Sequence, residues 1–215
     1  MIETIRTHLD IGPTEARTRA LSLLNEVGIA AADERIDQYP HQFSGGMRQR
    51  VVIALALAAN PNLIIADEPT TALDVSIQAQ IIALLKRLGR DHGTAIMLIT
   101  HDMGVIAETA HRVAVMYAGR IVEIGPMRDI VDRPSHPYAA GLMASIPRIL
   151  GPRARLQQID GAMPRLNAIP SGCPFSPRCT KAFDRCRRER PALMPAADSF
   201  AACWLYAEAG EAVFA

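Results

Sequence analysis

The chain has 215 residues, 49% of them hydrophobic, and its 23 lysines and arginines nearly balance 22 acidic residues, for a net charge of +1. This is enough apolar material for one domain plus an appendage, and the balanced charge excludes an overall polycation. No apolar run approaches the ~20 residues that span a bilayer, and Glu3, Arg6, His8 and Asp10 interrupt any leader-like core at the start, so the cytosol is the expected compartment.

Ile2, Ile5 and Leu9, at i, i+3 and i+7, predict a short amphipathic helix broken by Gly12-Pro13. A second helix is predicted over Thr14 to Val27, where Ala16, Ala20, Leu23, Leu24 and Val27 form one stripe and Gly28 is a suitable stop. Tyr39-Pro40-His41-Gln42 then leads into Phe43-Ser44-Gly45-Gly46-Met47-Arg48-Gln49-Arg50, with His41 read as a solvent-facing loop residue. Ser44 is a good N-cap, and Gly45 and Gly46 have no side chain to screen the first free N–H groups. A helix starting here and running through Val51 to Ala59 therefore aims donors and its positive dipole end at an anion such as phosphate.

Asn60-Pro61 stops that helix, and Leu63 to Ala66 predicts a buried strand. Its carboxyl end delivers Asp67 and Glu68 to a sheet edge where ligands collect, one carboxylate suited to Mg²⁺ and the other to orienting water. After Asp74, a candidate cap, Ile77, Ile81, Leu84, Leu85 and Leu88 predict a core-covering helix over Val75 to Leu88 that stops at Gly89. Ala95 to Ile99 is a second buried strand. The alternation of strand, helix and strand implies an α/β parallel sheet with a right-handed crossover, which places His101 on the same edge as Asp67 and Glu68. His111 has no such context and reads as structural. Val113 to Tyr117 and Ile121 to Ile124 form a predicted hairpin, and the sheet is expected to end at Gly125-Pro126.

Beyond Asp132 the chain turns proline-rich, with one short helix expected after His136-Pro137. Arg148 to Arg190 holds ten basic and three acidic residues, but it lacks the aromatic interleaving of a stacking platform, so no nucleic-acid partner is expected. All four cysteines, Cys173, Cys179, Cys186 and Cys203, lie in this tail at C-x5-C-x6-C-x16-C spacing. A cytosolic setting disfavours disulfides, and the lack of a C-x2-C pair disfavours an ordinary zinc ribbon. Four thiolates suit a [4Fe–4S] cluster, whose negative charge would match the surrounding arginines. Zinc and unliganded cysteines stay open.

Several of these stretches resemble the ATP-binding-cassette (ABC) ATPases in motif order. Ser44-Gly45-Gly46 is similar to their signature, from whose usual Leu-Ser-Gly-Gly-Gln Phe43 and Met47 depart, Leu63 to Glu68 to the Walker B strand and catalytic glutamate, Thr71-Ala72-Leu73-Asp74 to the D-loop, and Thr100-His101-Asp102 to the switch histidine. Met47-Arg48-Gln49-Arg50, Pro134-Ser135-His136-Pro137-Tyr138 and the Cys-Pro-Phe and Pro-Arg-Cys contexts resemble the dipeptide and oligopeptide importer branch, and the paired N-terminal helices resemble the helical subdomain that docks onto the transporter membrane subunit. The resemblance implies a partial P-loop NTPase domain over residues 1–132, with a parallel sheet core and a helical subdomain. It also implies a loop-rich extension over 133–215 carrying the four-cysteine site.

In this mechanism the signature of one subunit closes on ATP held by its partner. Glu68 orients the attacking water, Asp67 supports Mg²⁺, His101 contacts the γ-phosphate, and Ser44, Gly45, Gly46, Met47 and Asp74 face nucleotide. The implied partners are a second ABC ATPase subunit, membrane permease subunits and, indirectly, a solute-binding protein, with the chain peripheral on the cytoplasmic face of the membrane.

The family's phosphate loop, G-x4-G-K-[ST], is missing: the only lysines, Lys86 and Lys181, follow Leu85 and Thr180. That loop and the glutamine loop would lie before Met1, and a truncated gene or an internal start is the expected reason. Two readings follow. The first is an energy-coupling ATPase subunit of a peptide importer, inactive alone. The second is a catalytically idle accessory or metal-cluster module. A chromosome-maintenance ATPase head is a third, without the heptads before Phe43 that it would need.

Overall fold

In the computed structural model, which describes residues 1–71, 73–146 and 158–207, the chain divides into two units, Met1–Asp102 and Met103–Ala215. The first contains α1 (Ile2–His8), α2 (Pro13–Glu26), α3 (Ala32–Arg35), α4 (Gly45–Leu57), β1 (Leu63–Asp67), α5 (Val75–His92) and β2 (Ala95–Ile99). Pro13 opens α2 with its φ already set. Gly28, at φ +80°, closes it: its N–H donates to the Asn25 carbonyl and the Ile29 N–H to that of Leu24, satisfying the carbonyls that a helix end leaves free. Leu23 and Leu24 of α2, Ile53 and Leu57 of α4, and Ile81, Leu85 and Leu88 of α5 form one core with Ile64 and Ala66 of β1.

Two expectations about this unit are corrected. The helix expected to stop at Gly89 continues to His92, and Gly93 ends it at φ +63°. Gly89 serves packing instead, because a Cβ there would stand 3.0 Å from Ile96 Cδ1 and 3.3 Å from the Thr94 carbonyl oxygen. The strands are not buried on both faces either. They pair in parallel from Leu63 opposite Ala95 to Asp67 opposite Ile99. Helices cover only the face that carries Ile64, Ala66, Ile96 and Leu98, and on the other face Ile65 is 61% and Met97 51% exposed.

The second unit contains α6 (Met103–Thr109), β3 (Arg112–Tyr117), β4 (Arg120–Pro126), α7 (Met127–Asp132), α8 (Pro137–Ala144), α9 (Asp184–Arg188), β5 (Met194–Ala196) and β6 (Ser199–Ala201). The predicted hairpin forms, with Ala118 and Gly119 both at positive φ as a two-residue loop requires. The sheet does not end at Gly125-Pro126, however. Tail strands join it in the order β3-β4-β6-β5, all antiparallel. Gly125 permits this, since a Cβ there would lie 2.6 Å from the Ser199 Cβ. Among the described residues no helix is long and apolar enough to cross a membrane.

A buried carboxylate ties the second unit together. Glu123 of β4 is fully buried and accepts from the Ser135 N–H at 2.8 Å, the His136 N–H at 2.8 Å and the Ser199 hydroxyl at 3.1 Å. Such a group persists in a low-dielectric interior only when donors surround it. The clasp fixes the start of α8, where Pro137 occupies the first turn and His136 Nδ1 caps the Tyr138 N–H at 3.0 Å. Burial of the His136 ring pushes its pKa down to about 4.

Two outcomes follow from these features. Replacing Ile65 and Met97 together by lysine should shift the chain toward monomer in sedimentation velocity, because the open apolar face is the surface most prone to self-association. An unfolded His136 titrates near its ordinary value while the folded one resists protonation, so stability present at pH 7 is lost as the pH falls through 6.5 toward 4. Between pH 7 and 5 this amounts to about 2 kcal/mol. Urea unfolding followed by Trp204, the only tryptophan and part of the second unit, should show that loss, and His136→Gln should remove most of the difference.

Candidate functional site

The parallel pairing of β1 and β2 continues one bond past the strands, with the Glu68 N–H donating to the Ile99 carbonyl at 2.9 Å. This brings the residues after both strands to one edge. Glu68 takes a left-handed backbone, φ +46°, a strained conformation for a non-glycine residue that recurs at functional sites. Its Oε1 lies 2.7 Å from His101 Nδ1, and its Oε2 accepts from the Thr71 hydroxyl at 3.0 Å. His101 is 84% exposed along its side chain, so the pair faces solvent. The His101 bond, aided by Thr71, holds the Glu68 carboxyl below its usual range, while Glu68 raises the His101 pKa. At neutral pH the site thus presents an anion beside an imidazole richer in its charged form than a free histidine. Asp67, also exposed, ends β1 beside them.

The α4 start forms a second group. Ser44 is the N-cap and its Oγ accepts from the Met47 N–H at 3.4 Å, leaving Gly45 and Gly46 in the first turn. A Cβ on Gly46 would stand 2.9 Å from Ile77 Cγ2, so this glycine lets α4 approach the start of α5, whereas one on Gly45 would make only ordinary contact, 3.7 Å from Leu73 Cδ2. Asp74 occupies the N-cap position of α5, but its side chain makes no capping bond; the expected cap is positional only. Ala72 lies outside the described residues. No hydrogen bond or ion pair joins Ser44–Met47 to Glu68 or His101 among the described residues, so signature and carboxylate form separate clusters. Arg50, which the sequence reading passed over, holds α4 in place by donating to the Val27 carbonyl and to Gln80 Oε1.

In the second unit all four cysteines are free and line one cavity with His136 and Trp204. Burial raises the thiol pKa values of Cys173 and Cys179 and pushes that of Cys203 up to about 11. Four soft donors around one cavity are the chemistry that an iron–sulfur cluster or zinc uses. Among the described residues, however, no three His, Cys, Asp or Glu side chains stand where they would hold a metal ion. The thiols are gathered without forming a ligand cage. The arginines expected to face a cluster have protein partners: Arg178 donates to the Asp160 and Ile159 carbonyls and to the Tyr117 hydroxyl, and Arg185 pairs with Glu189 while stacking 3.6 Å from the Trp204 ring centroid.

Comparison with known proteins gives two family matches. Residues 2–71 match the ABC transporter model, and residues 122–186 match the oligopeptide/dipeptide transporter C-terminal region. The chain is 50% identical over 210 residues to the dipeptide transport ATP-binding protein DppD of Bacillus subtilis (strain 168), covering 97% of this chain and 63% of that protein. It is 49% identical over 198 residues to DppD of Escherichia coli (strain K12), covering 92% of this chain and 61% of that one. The chain therefore spans a little under two thirds of the relatives it matches. A solved inward-facing metal-chelate type ABC transporter shares the fold, with a TM-score of 0.56 at 23% identity over 66% of this chain and 55% of the other. Motif order, parallel strand pairing and both family matches agree: the chain carries part of an ABC transporter ATP-binding domain, over residues 2–71, together with the oligopeptide/dipeptide transporter C-terminal region, over residues 122–186.

Proposed function

We propose that this chain acts within the ATP-binding, energy-coupling subunit of an importer for dipeptides or oligopeptides, peripheral on the cytoplasmic face of the membrane. Its partners are a second ABC ATPase subunit, permease subunits and, indirectly, a solute-binding protein. The observation that carries the reading is the Glu68–His101 pair, bonded at 2.7 Å where two parallel strands end. Ionised Glu68 orients water toward the terminal phosphate, and His101 donates to that phosphate. Asp67 would hold Mg²⁺, which would neutralise phosphate charge. Ser44, Gly45, Gly46 and Met47 offer N–H donors at a helix start to ATP held by the partner, with Asp74 facing the same interface. Catalysis of this kind is mainly positioning and electrostatics. For the tail, Cys173, Cys179, Cys186 and Cys203 line one cavity as soft donors, the set that a [4Fe–4S] cluster, or zinc as the alternative, would use, although they do not stand as a ligand cage.

The chain carries no lysine-bearing phosphate loop, so purified alone it should not turn over ATP. Mixed with an ABC subunit that has its own loop, it should associate at least about tenfold more tightly in ATP than in ADP, a difference of ~1.4 kcal/mol. Gly46→Asp should abolish that difference by setting a carboxylate against the phosphate. Association indifferent to nucleotide would favour the idle accessory reading. In the tail, anaerobically prepared protein should be brown, with iron and sulfide near four each per chain, and any single Cys→Ser change should remove most of the colour. Colourless protein with one zinc per chain would assign the thiols to zinc, and metal-free protein would leave them structural.

A further inference from the structure

Gln78 lies one turn into α5, where its backbone N–H donates to the Asp74 carbonyl at 2.8 Å. Its Nε2 donates to Asp102 Oδ2 at 2.8 Å. Asp102 immediately follows His101, and its own N–H donates to the Thr100 hydroxyl at 3.1 Å, which shapes the turn after β2. From His101 the contacts return to Glu68 at 2.7 Å, and from Glu68 to Thr71 at 3.0 Å, three residues before Asp74. Among the described residues these contacts, with the short backbone stretches that carry them and the Leu73 N–H donating to the Thr70 carbonyl at 3.2 Å, form a ring. It joins the segment that begins α5, the first turn of that helix, the loop after β2 and the carboxylate after β1.

The His101 side chain is largely exposed and that of Glu68 half-buried, so the imidazole keeps its one bond to Glu68 only while the backbone beneath it holds the ring within reach. Within this ring the bond from Gln78 is a side-chain tie between the loop that carries His101 and α5. A charge-assisted bond from a neutral amide to a carboxylate, at 2.8 Å, is strong enough to hold such a loop in register. Gln80, two residues on, bonds Arg50 instead and takes no part in the ring.

We propose that Gln78 is a positioning residue: through Asp102 it sets the loop that aims His101 at Glu68, and it makes that geometry depend on the segment around Asp74. The inference rests on the nucleotide reading for its use in the reaction, since a shift of the Asp74 segment against a partner subunit would pass through Gln78 to the histidine. The contacts themselves need neither nucleotide nor partner.

Histidine C2-proton exchange, followed by mass spectrometry across pH on the full 215-residue chain, reads the protonation of His101 separately from the other five histidines. Glu68→Gln defines the full effect of losing the pair, with the His101 midpoint moving down toward the ordinary imidazole range. Asp102 also raises the His101 pKa and keeps its charge in these variants, so Gln78→Met, a neutral near-isostere without the donor, should move the midpoint in the same direction by part of that amount, through the freed loop alone. Gln78→Ser, polar but too short to reach Asp102, should do the same and covers the case in which the methionine variant fails to fold. Gln80→Met, on the same helix, should leave it unchanged. A His101 midpoint indifferent to both Gln78 variants, or moved equally by Gln80→Met, would overturn the proposal. Failure of the nucleotide reading would instead appear as association with an ABC partner that ignores ATP, with the exchange result intact.

Discussion

The parallel pairing of β1 with β2 is the constraint on which the candidate site depends. Neither Glu68 nor His101 sits in a cavity that would fix it, and 33 residues separate them in sequence. They meet because Asp67 pairs with Ile99 and the Glu68 N–H continues the ladder to the Ile99 carbonyl. A one-residue slip would turn every side chain of a strand to the opposite face, moving Ile64 and Ala66 out of the core and Glu68 away from His101. The packing of Ile64, Ala66, Ile96 and Leu98 against the helices therefore does more than stabilise the unit. It selects the register in which the carboxylate and imidazole meet.

The second unit is organised by the opposite means. Its strands are short, its tail is rich in proline and arginine, and a fully buried carboxylate gathers backbone donors from a loop and a hydroxyl from a distant strand. Around it Tyr117, Tyr138 and Phe175 pack at tilted and edge-on angles with ring centroids 4.7 to 5.5 Å apart, a geometry that adds to simple area burial. Gly172 admits the backbone at Cys186 and Arg187, where a Cβ would stand 2.4 Å from the Cys186 carbonyl oxygen. The Cys173 N–H donates to that same oxygen at 2.8 Å. Two of the four thiols are thus brought near each other by main-chain contact.

Local signals with a single physical meaning were legible in the sequence. Ser44 before two glycines predicted the start of α4, Gly28 the end of α2, and the apolar stripe of α5 its buried face. Gly89 misled because a glycine near the end of an apolar stripe reads as a stop, whereas here it answers to Ile96, a contact visible only in three dimensions. The strands β5 and β6 were missed because three residues each, one strand opening with Met194-Pro195 and the other flanking Phe200, carry no periodicity. Glu123 carried no signal either, since an isolated glutamate in a strand reads as solvated until its donors are known. That Glu68 and His101 reach one sheet edge followed from the βαβ alternation, while their bond, and those of Thr71, Gln78 and Asp102 around it, depend on side-chain directions that no local pattern encodes.

The central claim is that the start of α4 and the Glu68–His101 edge are two nucleotide-facing surfaces of one ABC subunit. Its most direct measurement is a structure of the chain assembled with a phosphate-loop-bearing ABC partner and a non-hydrolysable ATP analogue. The account predicts that the Ser44 hydroxyl and the Gly46 N–H lie within about 3 Å of terminal phosphate oxygens. An analogue bound with no phosphate contact to the start of α4 would contradict it.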